Sequence, residues 1–116
     1  METNVRLQIE KAFSSLPPEE QETIIRRGVA LCLSDLKKRL FLAESKVRNF
    51  KEKYQITLAQ LDAEGIPDDA GPEMHEDYIM WHHWDAVARK TRQDIESIQP
   101  IAQHGLQWTE PANVGD

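Results

Sequence analysis

One apolar stripe governs what this chain can become. Ile25, Val29, Cys32, Leu36, Leu40, Ala43, Val47, Phe50 and Tyr54 follow one another in steps of three or four. A mean step near ~3.6 residues is the repeat of a straight α-helix, so a single apolar face runs along a helix over about 19–53. At roughly 1.5 Å per residue that helix is about 50 Å long. A second stripe, Ile24, Gly28, Leu31 and Leu42, interrupted by Asp35 and Lys38, lies roughly 100–120° around the same helix. Ten of the fifteen residues from Val29 to Ala43 are apolar, a surface too broad for one neighbouring helix. Gly28 costs about 1 kcal/mol relative to alanine inside a helix, and reads either as a tolerated defect or as a point of close backbone approach.

Helical spacing accounts for most of the remainder. Val5, Ile9, Ala12, Phe13 and Leu16 predict a helix over about 4–16, ended by Pro17–Pro18. Glu19, Glu20 and Glu22 suit the positive end of the long helix that follows. Gln55–Ile56–Thr57 reads as a break, and Thr57 with Gln60 has capping-box spacing for a short helix over 58–64. Gly65, Pro67, Asp68, Asp69, Gly71 and Pro72 mark a loop. A last helix over about 73–99 buries Met74, Trp81, Trp84, Ala88, Thr91, Ile95 and Ile98, with Met80 and Val87 at its flank, and is stopped or kinked by Pro100. The fold class is therefore all-α: an antiparallel hairpin of the long helix and the 73–99 helix, with short extra helices, that dimerises into a bundle. One helical domain is expected over 1–104 and a mobile tail over 105–116. Leu36, Leu40, Phe50, Tyr54, Trp81 and Trp84 are the expected core anchors.

Residues 26–53 hold nine Lys/Arg against three acids, whereas residues 62–116 hold twelve acids against three bases. The simplest reading is that the basic helix and the acidic half neutralise each other; the other is a nucleic-acid surface on 37–53. No apolar run approaches the ~20 residues that span a bilayer, and the start has no signal-peptide pattern. The single cysteine, Cys32, cannot pair internally, and Leu31 and Leu33 beside it point to burial. A reducing, cytoplasmic setting is expected.

No phosphate loop, nucleophile elbow, Cys/His pair or zinc motif is present, so no catalytic residue and no cofactor is assigned. His75 and His82 stand seven apart, about 10 Å along a helix axis, too far to share one ion. His83 points roughly 100° away from His82. Both His75 and His82 fall opposite the tryptophan face and should be solvated, and a metal at His75, His82 or His83 would need ligands from a second chain. Tyr78, Trp81 and Trp84 stand among Glu73, Glu76, Asp77 and Asp85, which favours packing over base stacking.

The run from Asn49 to Val87 resembles small helical antitoxin-like proteins of bacterial and archaeal toxin–antitoxin pairs, partners of TumE-type toxins. The resemblance rests on Lys53, Tyr54, Thr57, Leu61, Asp77, Tyr78, Ile79 and Trp81, about a third of the chain. Gln55 stands where that pattern has glycine, and His82–His83 replaces a more acidic or apolar stretch. What the resemblance implies is neutralisation of a small toxin by direct binding. The expected partner or oligomer contact is Ile24, Gly28, Leu31, Asp35, Lys38 and Leu42, with a second copy of the chain and a cognate toxin as partners. Two alternatives stand beside it: a structural or adaptor homodimer, and a nucleic-acid-binding regulator using 37–53.

Overall fold

The computed structural model describes residues 2–105. Four helices follow in order: α1 (Glu2–Ser14), α2 (Pro18–Tyr54), α3 (Leu58–Glu64) and α4 (Pro72–Gly105), with no strand among the described residues. The fold is all-α. No helix among the described residues is long and apolar enough to cross a membrane.

The boundaries of α2 and α3 and the start of α4 have local causes. Pro18 opens α2 and Pro72 opens α4, at the first helical position, where a missing N–H costs nothing. Glu19 and Glu20 lie in the first turn of α2 and Lys51 and Lys53 in its last, both matched to the helix dipole. Beyond Tyr54 the chain turns at Gln55, whose φ is 55°, while its N–H still bonds the Lys51 carbonyl at 2.8 Å. That is a left-handed helix end on a residue with a side chain, where glycine is the usual occupant. Thr57 then caps α3 in a full capping box, the Thr57 hydroxyl accepting from the Gln60 N–H at 3.1 Å and the Gln60 side chain accepting from the Thr57 N–H at 2.9 Å. Gly65, at φ 79°, ends α3.

The last helix departs from the expected end at 99. α4 runs through Pro100 to Gly105. A proline fits helical φ and removes one donor, so a helix held by neighbouring turns can pass through it. Of the expected tail 105–116, Gly105 belongs to α4 and the rest lies outside the described residues.

The chain gathers into two compact units, one taking in residues up to Ser34 and from Glu96 onward, the other Asp35–Ile95. In the second unit α2 and α4 run antiparallel, since Lys53 meets Asp77, Phe50 meets Trp81 and Glu44 meets Arg92. Every buried side chain of the described residues belongs to this unit: Ala43, Leu61, Trp81, Ala88 and Thr91. Ala43 and Ala88 are small, which lets the two helices lie close. Trp81, 1% exposed, stacks on Phe50 and Tyr54 with ring centroids 5.8 and 6.2 Å away. The buried Thr91 hydroxyl is satisfied by the Val87 carbonyl at 2.6 Å. Leu36, Leu40, Phe50, Tyr54 and Trp84 are half-buried around this centre.

The first unit is built differently. Gln21 ties the end of α1 to α2 by donating to the carbonyls of Phe13 at 3.1 Å and Leu16 at 2.9 Å. Phe13, Leu16, Ile25, Val29, Leu33 and Ile98 are half-buried, and no described side chain of this unit is fully buried. Cys32 is exposed, which corrects the expectation of burial: the cover over this stretch of α2 takes in Leu33, one position on, and leaves the Cys32 edge of the stripe open.

Candidate protein-binding surfaces

The surfaces are set by which apolar side chains the helices fail to cover. In the first unit, α1 exposes Val5, Leu7 and Ile9, α2 exposes Ile24 and Leu31, and α4 exposes Ile101. Leu31 is 65% exposed. Gly28, one turn before it, has open space where a Cβ would stand. Of the two readings of this glycine the structure therefore favours the tolerated defect within the chain itself. Ile25, Val29, Ala30, Leu33, Ile101 and Ala102 line an open apolar groove of about 220 Å³, with Arg26 at its side. Ile24, Gly28 and Leu31 thus lie exposed in the first unit; Asp35, Lys38 and Leu42 lie exposed in the second.

The second unit carries an exposed aromatic residue that belongs to neither apolar stripe. Phe41 is 71% exposed, the most exposed of the large apolar side chains described. Its helical neighbours at three and four residues' distance are Lys37, Lys38, Glu44 and Ser45, all polar, and that was the signal for an outward ring. Leu42 beside it is also exposed, as are Ile79 and Met80 on α4.

Two polar clusters fix the geometry of the second unit. Lys53 Nζ donates to Glu73 Oε1 at 2.8 Å and to Asp77 Oδ2 at 2.6 Å, and the Tyr54 hydroxyl donates to the same Asp77 oxygen at 2.5 Å. The Lys53 and Tyr54 bonds hold the Asp77 carboxyl below the usual carboxylate range. Desolvation and then the Asp77 bond push the Tyr54 hydroxyl up, and the Asp77 and Glu73 bonds push the Lys53 ammonium up. The second cluster joins α3 to α4: the Tyr78 hydroxyl donates to Asp62 Oδ1 at 2.6 Å and His82 Nε2 lies 2.7 Å from that oxygen. The Tyr78 and His82 bonds lower the Asp62 pKa, and the Asp62 bond raises that of Tyr78. His82 also meets the Tyr78 ring edge-on at 4.8 Å. The expectation that His82 is simply solvated is thereby corrected: α3 folds against that side of α4 and supplies a partner. His75 and His83 are exposed.

Both clusters link one helix to another and end in phenol, ammonium or imidazole groups facing a carboxylate. Among the described residues no three His, Cys, Asp or Glu side chains converge on a common metal position.

The charge asymmetry is only slightly spent inside the molecule. Lys53 pairs with Glu73 and Asp77, and Arg92 of α4 pairs with Glu44 of α2, against the expected sense. Lys37, Lys38, Arg39, Lys46, Arg48 and Lys51 are exposed and make no ion pair among the described residues. Mutual neutralisation of a basic helix by an acidic half therefore accounts for little of the pattern.

No family model, no curated protein and no solved structure matches this chain.

Proposed function

We propose that the chain is a non-enzymatic protein-binding module, antitoxin-like, that neutralises a small toxin by direct contact through the apolar side of its first unit. One observation carries the reading: the first unit has no fully buried side chain among the described residues, yet exposes six large apolar ones. Ordering a residue costs roughly 1–2 kcal/mol of backbone entropy, which a small helical cluster recovers only by burying apolar surface. A partner laid over α1 and the start of α2 supplies that burial, so the unit is completed by what it binds. Ile24 and Leu31 are the apolar anchors of the contact, and Gly28 between them admits a close backbone. The resemblance of residues 49–87 to antitoxin-like proteins supports the same class of partner. Such pairs are encoded side by side, so the test is co-expression with the product of the adjacent gene, followed by size-exclusion chromatography. A stoichiometric complex lost on Leu31→Glu supports the reading; separate elution of the two proteins overturns it.

A further inference from the structure

We infer that the second unit associates with a second copy of itself, the cationic outer side of α2 receiving the acidic segment Asp62–Asp77 of the other copy. Between Lys37 and Lys51, α2 presents six cations that make no ion pair among the described residues, Lys38 and Arg48 among them. The same unit carries the complement: Glu64, Asp68, Asp69 and Glu76 are exposed and likewise unpaired among the described residues. A unit that bears both halves of a charge match, and does not close it internally, is complementary to its own copy.

Charge alone would hold such a contact weakly, because an exposed ion pair contributes only about 0–1 kcal/mol. Each half also has an apolar centre. Phe41 and Leu42 stand exposed among Lys37, Lys38 and Lys46, and Ile79 and Met80 stand exposed after Glu76 and Asp77. An aromatic anchor ringed by charges is the usual anatomy of a protein–protein contact. A nucleic acid fits the same cations less well: the acids of Asp62–Asp77 and the net charge of −6 repel a continuous polyanion. Leu42, Ile79 and Met80 would also gain nothing from phosphates. This contact lies wholly in the second unit and is independent of the partner proposed for the first.

Sedimentation of the full chain at low and at high salt tests it. At low salt the particle should have at least twice the mass of one chain, and it should shrink as salt screens the charges, since the Debye length is already only about 10 Å at 0.1 M. Phe41→Glu, and the double variant Lys38→Glu with Arg48→Glu, should each give single chains of unchanged helicity by circular dichroism. Glu64→Lys with Glu76→Lys should do the same, and mixing the two charge-reversed proteins should restore the doubled mass. Should a charge change lower helicity, Phe41→Ser, which trims an exposed ring, gives the same reading without a charge. A wild-type chain that sediments singly at low salt overturns the inference. So do assembly that survives the substitutions and a mixture that fails to reassemble. Binding of a single-stranded oligonucleotide that is lost with Lys38→Glu and Arg48→Glu would make nucleic acid the occupant instead.

Discussion

Lys53 Nζ lies 2.6 Å from Asp77 Oδ2 and joins the last turn of α2 to the second turn of α4. With the Tyr54 hydroxyl on the same oxygen, Asp77 is the polar fastening at the closed end of the hairpin. Its folded pKa is held below that of the unfolded chain, first by Lys53 and then by Tyr54. The stability it contributes is therefore fully present above the ordinary aspartate range near pH ~4, and is lost as pH falls through the depressed folded value. Asp77→Asn should lower stability by about 1–2 kcal/mol at neutral pH, as expected for hydrogen bonds to a charged group at a partly open site. In urea titrations across pH the gap between the two proteins should close in acid. A gap that stays constant would show that the carboxylate charge is not its source.

Trp81 and Trp84 stand one turn apart with unequal surroundings. Trp81 is buried and stacks on the rings of Phe50 and Tyr54, whereas Trp84 is half-buried and meets the exposed His83 edge-on. Trp81→Ala should cost about 3–5 kcal/mol and Trp84→Ala distinctly less. Thermal melts of the two variants decide it; equal losses would mean that the core is wider than Ala43, Leu61, Trp81 and Ala88 indicate.

The helices were legible because their cause is local. The 3.6-residue stripe from Ile25 to Tyr54 located α2, and Thr57 with Gln60 located α3 to the residue. What escaped the sequence depends on how much of an apolar side another element covers. Cys32 lies at the edge of the stripe, and periodicity shows which way a side chain faces but not where the cover stops. His82 faces away from Trp81 on the helix, and only the folding of α3 across it creates its contact with Asp62. Phe41 is hidden inside the apolar run Leu40–Phe41–Leu42–Ala43, though its neighbours along the helix face are polar. The local rule makes Pro100 a stop or a kink, whereas α4 continues past it to Gly105.

Gln55 holds the left-handed φ of 55° at the end of α2, a conformation that costs a residue with a Cβ roughly 1–2 kcal/mol. Glycine removes that cost and adds freedom to the unfolded chain worth about 0.4–1 kcal/mol. The bond from the Gln55 side chain to the Glu52 carbonyl is lost as well. Gln55→Gly should therefore stabilise the chain by up to about 1 kcal/mol, visible as a higher denaturation midpoint. A lower midpoint would mean that the side-chain bond outweighs the backbone.

Gly28 has open space around its missing Cβ, so Gly28→Ala should raise stability of the free chain by about 0.5–1 kcal/mol. The same methyl would stand between Ile24 and Leu31, where the proposed partner approaches. The expected signature is opposed: a higher melting temperature alone, and weaker binding of the adjacent-gene product by calorimetry. Stronger binding in proportion to the added stability would move the contact away from this turn.

Leu31 and Leu36 are five residues apart on α2 and face different environments. Leu31 is exposed in the first unit; Leu36 is half-buried in the second, on the side that α4 covers. A charge at Leu36 would be half-buried on the apolar stripe of α2, and burying a charge without a partner costs several kcal/mol. Leu36→Glu should therefore melt the helices in circular dichroism. A charge at Leu31 enters water, so Leu31→Glu should leave helicity intact while removing an apolar anchor from the partner contact. Paired measurements of ellipticity and of complex formation on the two variants read the two effects separately. If Leu31→Glu unfolds the chain and Leu36→Glu only prevents binding, the covered and the open sides of α2 are the reverse of those described.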